Sequence, residues 1–232
     1  MHVSGVRRNP ETYEHVPPEA VGNDRRILVS DLAGRATMLE KLREYGIDVD
    51  PDDGRVGELL EELKEHEGQG YLYEGAEASF ELLFRRRFEG LTSPYTMRGW
   101  RCIDERRGVD EPETEATVLV EVDGVREHTA ASGNGPVNAL DQALRKALRR
   151  FFPEIDQLRL VDYKVRVLAA GVGTEVGVRV LIESTDGHAY WGTVGVGTNV
   201  IDASYEALRD AIDYHLWRQR HGRAAGTLQQ EA

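Results

Sequence analysis

The sequence predicts an α+β protein in which a short helical segment precedes two β-β-β-α units related by a pseudo-twofold axis. The main observation is an internal repeat with a spacing of about 62 to 64 residues. Val118–Glu121 has its counterpart in Val180–Glu183, and the dipeptide Asp123–Gly124 has its counterpart in Asp186–Gly187. The second observation is that each copy changes from alternating apolar residues to a helical stripe, which is typical of strands followed by a helix.

Residues 1–93 are predicted to form a linker segment with short helices. Turn-forming and charged residues dominate positions 1–30, which indicates extended or loop structure. Three apolar stripes with helical spacing follow, and the first and third end near Gly46 and Gly90. Their members are Leu32, Met38, Leu39 and Leu42; Val56, Leu59, Leu60 and Leu63; and Phe80, Leu83, Phe84 and Phe88.

The first repeat is predicted to span residues 94–153, starting after the step Ser93–Pro94. Its strands are expected over 96–104, 117–122 and 125–131, with Asp123–Gly124 as a hairpin turn. A helix follows with Pro136 in its first turn, where a missing N–H costs nothing. The apolar face of this helix is predicted to comprise Val137, Leu140, Leu144, Leu148 and Phe152.

The second repeat is predicted to span residues 158–218. Strands are expected over 163–168, 176–183 and 189–196, with a helix from about residue 199. Residues 219–232 are predicted to be a disordered tail. The apolar stripe of the second helix matches that of the first position by position and comprises Ile201, Ser204, Leu208, Ile212 and Leu216.

Composition excludes several classes of function. The 232-residue chain has 29 Lys and Arg against 41 Asp and Glu, a net charge of −12, so nucleic acid and anionic membranes are not expected partners. It has no apolar run of about 20 residues and no signal-peptide core, which predicts a soluble cytoplasmic protein. Cys102 is the only cysteine, and no Cys/His spacing resembles a zinc site, so no metal or other cofactor is expected in this sequence.

The glycines before the two repeat helices, Gly133, Gly135 and Gly197, have two interpretations. They provide the dihedral angles of a tight turn, or they let a carboxylate approach free N–H groups at a helix N-terminus. Acidic residues in the first turns of these helices, Asp141, Asp202 and Glu206, are explained by the helix dipole alone.

The remaining polar and aromatic residues favour structural roles. The basic run Arg85–Arg87, and the basic residues of the first repeat helix, are predicted to form solvated faces; those of the helix are Arg145, Lys146, Arg149 and Arg150. Three aromatic residues fall on predicted strands and are predicted to lie in the core or in an interface: Trp100, Trp191 and Tyr163. The absence of a nucleophile–base pair, a phosphate loop or a metal cluster argues against catalysis by this sequence alone.

Six segments resemble the linker and C-terminal regulatory domain of the α-isopropylmalate synthase and citramalate synthase family, and their wording is closer to citramalate synthase. The resemblance covers about residues 2–218. The segments are His2–Val6, Asn9–His15, Gly22–Arg35, Gly133–Asp141, Leu160–Val167 and Thr193–Ser204.

The resemblance implies a division of labour. The family condenses acetyl-CoA with a 2-oxo acid on a divalent metal in a TIM barrel, and this sequence contains none of that barrel. It therefore implies a regulatory and dimerising module, inactive alone, that forms a homodimer through residues 94–218 and binds a branched-chain amino acid, isoleucine or leucine, as feedback inhibitor. Two alternatives stay open: a stand-alone amino-acid sensor or scaffold, and a split-gene subunit that works in trans with a separate barrel chain.

The resemblance also implies site residues. His2 and Tyr13 match linker positions that reach a barrel and are the catalytic candidates, but only with a barrel partner. The effector-binding candidates lie on the two loops that open the repeat helices: Gly133, Asn134, Gly135, Pro136 and Val137 on the first, and Gly197, Thr198, Asn199, Val200 and Ile201 on the second.

Overall fold

A computed structural model describes residues 34–106, 108, 112–168 and 176–222. Internal packing divides the chain into one unit up to Lys64 and a second from Glu65 onward. The first unit contains helix α1 (Arg35–Glu44) and most of helix α2 (Gly54–Gln69), which bury most of the described positions of the two predicted stripes. Leu39 and Leu60 are half-buried, and Leu32 lies outside the described residues. The fully buried side chains there are Met38, Leu42, Val56 and Leu59.

The second unit contains the last residues of α2, helix α3 and two β-β-β-α repeats. The predicted fold class is confirmed, because each repeat has three strands and then a helix. The elements are α3 (Glu77–Phe88), β1 (Thr96–Glu105), β2 (Glu113–Val122), β3 (Val125–Gly133), α4 (Pro136–Leu148), a 3₁₀ turn (Pro153–Gln157), β4 (Arg159–Val167), β5 (Val178–Thr185), β6 (Tyr190–Gly197) and α5 (Val200–His221).

Each repeat builds its own antiparallel sheet, in the order β1-β2-β3 and β4-β5-β6. Both Asp–Gly dipeptides of the repeat lie in hairpins, but the two turns differ. Asp123 and Gly124 both have positive φ angles, 48° and 78°, as a two-residue hairpin loop requires. The second hairpin has a four-residue loop over 186–189, in which the Asp186 carboxylate accepts the N–H groups of His188 and Ala189.

The repeats also share an irregularity that periodicity did not predict. The register of β1 against β2 shifts between Met97 and Gly99, and that of β4 against β5 shifts between Leu160 and Asp162. The two bulges lie one repeat length apart, each on an outer strand of a three-stranded sheet. Bulges of this kind twist an edge strand and interrupt its pairing surface.

Two apolar cores lie among the described residues of the second unit. Alternate residues of β2, from Thr114 to Val122, are buried, and α4 covers them with Leu140, Leu144 and Leu148 of its predicted stripe. Phe152, which was predicted on the same helix, lies beyond its end at Leu148 and is buried in the same core. Helix α5 contributes its C-terminal half to this larger core through residues such as Ile212 and Leu216. Three residues of its N-terminal half belong to a smaller core, which comprises Val180, Ile182, Ala203, Ala207 and Leu208.

Helix α3, which the sequence assigned to the linker, packs within the second unit on β6 and α5. The Ser79 hydroxyl accepts the Val194 N–H at 3.1 Å, which fixes the helix beside that strand. Helix α5 continues to His221, past the predicted start of a tail at residue 219; residues 223–232 lie outside the described part of the chain. Among the described residues, no helix is long and apolar enough to cross a membrane.

Candidate effector site at the openings of the repeat helices

Loop one, residues 133–137, joins β3 to α4. Gly135 precedes the helix in an extended conformation, and no side chain caps the first turn. Pro136 occupies the first turn and carries no N–H, while no acidic residue lies in that turn. The N–H groups at this helix end therefore point to a site where an anion is favoured by the helix dipole.

The two glycines of loop one have different roles. A Cβ atom on Gly133 would lie 2.5 Å from the Ala139 backbone nitrogen and 2.6 Å from the Asn138 Oδ1, so this glycine lets β3 approach α4. A Cβ atom on Gly135 would meet nothing within 4 Å. Gly133 therefore serves packing, whereas the space beside Gly135 is open at the start of the helix.

Loop two, residues 197–201, joins β6 to α5 and differs in its capping. The Asn199 side chain accepts the N–H of Ile201 at 2.8 Å and that of Asp202 at 3.4 Å. Asp202 adds an exposed carboxylate to the first turn. Because a side chain already occupies these donors and the local charge is negative, loop two is the less favourable place for a carboxylate.

The glycine that permits close packing also shifts between the repeats. Gly197, the counterpart of Gly133, has room for a Cβ atom, since the nearest atom would lie 3.7 Å away. Two residues earlier, a Cβ atom on Gly195 would lie only 2.0 Å from the Ala203 carbonyl oxygen. In the second repeat, the close approach of helix to strand therefore occurs inside β6 rather than in the loop.

The first turns of the two helices pack on opposite repeats. Val137 of loop one packs on the smaller core, which belongs to β5 and α5. Ile201 of loop two packs on the larger core, which contains the first sheet and α4. Each helix opening thus contacts the core of the other repeat, and α4 packs on α5. Val200 of loop two is 39% exposed.

Asp141 lies on α4 beyond the open turn and is already paired. Its two oxygens accept the Arg145 Nε at 2.8 and 2.9 Å, and burial raises the pKa of Asp141 although Arg145 lowers it. Arg145 also donates to the Leu158 carbonyl. The prediction of a solvated face is therefore wrong for Arg145. It is confirmed for Lys146, Arg149 and Arg150, which are exposed.

Glu206 was expected only to complement the dipole of α5, but it has two specific partners. One oxygen accepts the Tyr71 hydroxyl at 2.6 Å, and the other accepts the Val196 N–H at 3.0 Å. Tyr71 was not singled out from the sequence, because it lies 135 residues away in a segment without a motif. Glu206 thus connects the end of β6, next to loop two, to the segment after α2.

The prediction of a solvated basic run at 85–87 is wrong for Arg85. This residue is 5% exposed, pairs with Glu81, and lies with its guanidinium carbon 3.8 Å from the centre of the Trp217 ring. The reason is that α3 packs on α5, so this side of α3 faces protein rather than water. The spacing of Glu81 and Arg85, i and i+4, was the available signal.

Arg86 extends this charged cluster to α5. It donates to Asp210 at 2.7 Å and to Asp213 at 3.0 Å, and the Ser93 hydroxyl donates to Asp213 at 2.8 Å. Burial, with a smaller contribution from Asp210, raises the pKa of Asp213 to about 6, against the lowering influence of Ser93 and Arg86. The cluster joins α3, the segment before β1 and α5 by buried charge.

The other candidate residues divide into core positions and undescribed ones. Trp191 is 5% exposed in the larger core, Trp100 packs on that core, and Tyr163 packs on the smaller one. These positions agree with the predicted structural roles. The catalytic candidates His2 and Tyr13 lie outside the described residues. Within the described ranges, no group of three metal-ligating side chains converges.

Two known protein families match the chain. Residues 74–216 match the LeuA allosteric (dimerisation) domain, which is more than half of the chain. The chain belongs to this family. Residues 1–70 match the homocitrate synthase post-HMGL domain-like family. Loop one and loop two lie within this match, as do both repeats apart from the last residues of α5.

Individual relatives are similar along almost the whole chain. A protein of Geobacter sulfurreducens named (R)-citramalate synthase is 55% identical over 217 residues, which cover 93% of this chain and 41% of that protein. Proteins of the same name from Aquifex aeolicus and Streptomyces coelicolor are 51% and 49% identical, covering 94% of this chain and 42% and 41% of those proteins. This LeuA-type chain thus spans about two fifths of the length of the curated relatives it matches.

Proposed function

We propose that the chain is the regulatory and dimerisation part of a citramalate-synthase-like acyltransferase, and that it binds a branched-chain amino acid as feedback inhibitor. The observation that carries effector binding is the uncapped first turn of α4 beside the open space at Gly135. A helix N-terminus of this kind favours a carboxylate, which every amino acid carries. The names of the relatives and the description of the family support the regulatory context.

The apolar surroundings select the side chain of the ligand. Three apolar residues lie at the helix openings: Val137, Val200 and Ile201. Val137 packs on the smaller core and Ile201 packs on the larger core. A branched aliphatic side chain buried there gains about 1.5–3 kcal/mol from the hydrophobic effect, whereas alanine gains much less. We propose isoleucine as the effector and leucine as the second choice.

The condensation itself is proposed for the whole synthase rather than for these residues. In that proposal, a TIM barrel condenses acetyl-CoA with a 2-oxo acid and holds the divalent metal, and His2 and Tyr13 act only beside it. The described residues hold the part that senses the amino acid. A barrel encoded on the same chain or on a separate one is compatible with this assignment.

Isoleucine is expected to stabilise the protein against heat. At 100 times its dissociation constant, a ligand that binds only the folded form adds about 2.7 kcal/mol, enough to raise the Tm by a few degrees. Gly135→Val is expected to abolish this shift because the side chain fills the approach to the helix end. The unliganded fold stays intact, since the site has open space for a side chain. Differential scanning fluorimetry measures both effects.

Gly99→Val is the matched control for this substitution. Gly99 lies on β1, in the same sheet as the strand β3 that precedes loop one. Its φ angle is not positive, and a Cβ atom on Gly99, like one on Gly135, would have no neighbour within 4 Å. The control is expected to keep the full isoleucine shift. Equal shifts with isoleucine, valine and alanine, or none with any amino acid, would contradict effector binding and leave the glycines as turn formers.

We also propose that the chain forms a homodimer through the repeat region. The description of the family names dimerisation, and edge strand β4 exposes Val161, Val165 and Val167 by 51%, 42% and 73%. Exposed apolar edge strands are usually covered by another chain. Sedimentation equilibrium at tens of micromolar protein is expected to give twice the 26.0 kDa chain mass, and a 26.0 kDa species at that concentration would refute the proposal.

A further inference from the structure

The segment after α2 is fastened to the second repeat by one carboxylate. The Tyr71 hydroxyl donates to Glu206 Oε1 at 2.6 Å, and the second oxygen of the same carboxylate accepts the Val196 N–H at 3.0 Å. Both are hydrogen bonds to a charged acceptor, which is the stronger class. Tyr71 is half-buried, and burial together with Glu206 raises its pKa, so the phenol stays a donor at neutral pH.

This carboxylate lies next to loop two. Val196 is the residue before Gly197, at the end of β6, and Glu206 lies on α5, the helix that loop two opens. The bridge therefore contacts both elements that flank the loop. A change in the position of α5 relative to β6 changes the distance that Glu206 has to span.

The other end of the bridge lies in a compact aromatic segment. The His66 ring stacks on Tyr71 with ring centres 4.7 Å apart, and His66 Nδ1 lies 2.6 Å from the Tyr73 hydroxyl. Arg179 of β5 donates to the Gly70 carbonyl at 2.5 Å. These contacts connect residues 66–73 to one another and to β5. Toward the N-terminus, α2 continues from this segment into the first unit.

We infer that Tyr71 and Glu206 are positioning residues that couple loop two to the segment 65–76, so that events at the effector loops change how firmly this segment is held. The regulatory use of this coupling rests on the proposed effector binding. The coupling itself does not rest on effector binding, because it depends only on the hydrogen bonds of Glu206 with Tyr71 and Val196. Its function would be to pass the liganded state of the repeats to the part of the chain that precedes residue 65.

A double-mutant cycle tests the coupling without ligand. Asn199→Ala removes the cap of α5 and loosens loop two. The reporters are the amide protons of Gly70, Tyr71 and Ala76, which are hydrogen-bonded within the segment. In the otherwise unchanged protein, Asn199→Ala is expected to speed their hydrogen exchange by roughly two- to tenfold, the range of one side-chain hydrogen bond.

In a Tyr71→Phe background, the same change is expected to leave these amides unaffected. Tyr163→Phe is the matched control, because it removes a hydroxyl that bonds to Ser204 on the same helix at 2.8 Å, a hydrogen bond that does not involve residues 65–76. The control background is expected to keep the full effect of Asn199→Ala. No effect in the unchanged protein, or an equal effect in the Tyr71→Phe background, would overturn the inference.

Isoleucine separates this inference from the proposed function. If isoleucine binds, it is expected to change the exchange of the same three amides in the unchanged protein but not in Tyr71→Phe, while its affinity stays within about twofold. A response of these amides that persists in Tyr71→Phe would overturn the coupling. If isoleucine does not bind, the proposed effector is wrong, and the double-mutant cycle still decides the coupling.

Discussion

Replacing Arg85 by methionine is expected to lower the free energy of unfolding by about 3–5 kcal/mol, the usual cost of removing one partner of a buried ion pair. The carboxylate of Glu81 would keep only the Tyr214 hydroxyl, at 2.8 Å, and it is 4% exposed. The substitution also removes the cation that lies over Trp217. Urea denaturation followed by circular dichroism measures the loss.

Arg149→Met is the matched control, because Arg149 pairs with Asp156 while both side chains are more than half exposed. Its expected effect is at most about 1 kcal/mol. The double variant Glu81→Leu/Arg85→Met is expected to regain much of the stability, since it leaves no buried charge unpaired. Similar losses for Arg85→Met and Arg149→Met would contradict the buried position of Arg85.

The second large effect is a pH dependence that Asp213 produces. Its pKa rises from 3.8 in the unfolded chain to about 6 in the fold, chiefly by burial. Between these values the unfolded state holds fewer protons than the folded state, so this group makes the free energy of unfolding fall as pH increases. Asp213→Asn lacks that penalty. Between pH 4 and pH 7, the free energy of unfolding of the variant is expected to rise by about 2–3 kcal/mol relative to that of the unchanged protein. Urea denaturation at a series of pH values measures this change.

Asp186→Asn is a control with the opposite sign. Burial alone would raise the pKa of Asp186, but the N–H groups of His188 and Ala189 lower it below its usual value. The carboxylate of Asp186 therefore stabilises the fold increasingly as pH rises from its lowered folded pKa to the unfolded value of 3.8. Its asparagine variant is expected to lose relative stability over that more acidic range, with little further change above about pH 5. If both variants changed in the same direction, the assigned environments would be wrong.

The repeat architecture was predictable because local rules and the global fold agree. Alternation in β2, the dipeptide Asp123–Gly124 and the stripes of α4 and α5 each determine one element, and the repeat relates the elements in pairs. The buried stripe residues Leu140, Leu144, Leu208 and Ile212 were all identified this way. The bulges in β1 and β4 were not identified, although each shifts the alternation by one residue. The core-facing side chains are three residues apart across each bulge, Met97 and Trp100 in β1 and Leu160 and Tyr163 in β4.

What the sequence did not predict depends on contacts between distant elements. Arg85 has the residue type of a surface position and is buried only because α3 packs on α5. The counterparts Gly133 and Gly197 looked equivalent, but their roles differ because the helix approaches the strand at Gly195 in the second repeat. Tyr71 and Glu206 meet across 135 residues, a pairing that no local spacing indicates.

The proposed site is likewise only partly a sequence result. The two glycine loops were identified at strand-to-helix steps, but the sequence treated them as equal. The structure distinguishes them, because Asn199 caps α5 whereas no side chain caps α4. We therefore place the ligand carboxylate at loop one and assign loop two to apolar contacts and to the link with Glu206.

An isoleucine titration followed by two-dimensional ¹H–¹⁵N NMR of the deuterated protein tests effector binding at this place most directly. The account predicts saturable shifts at the amides of Val137 and Asn138, in the open first turn of α4, with smaller shifts at loop two and none in Gly135→Val. Alanine at the same concentration is expected to shift these amides far less. Unchanged loop-one amides at saturating isoleucine, or equal shifts with alanine, would contradict the account.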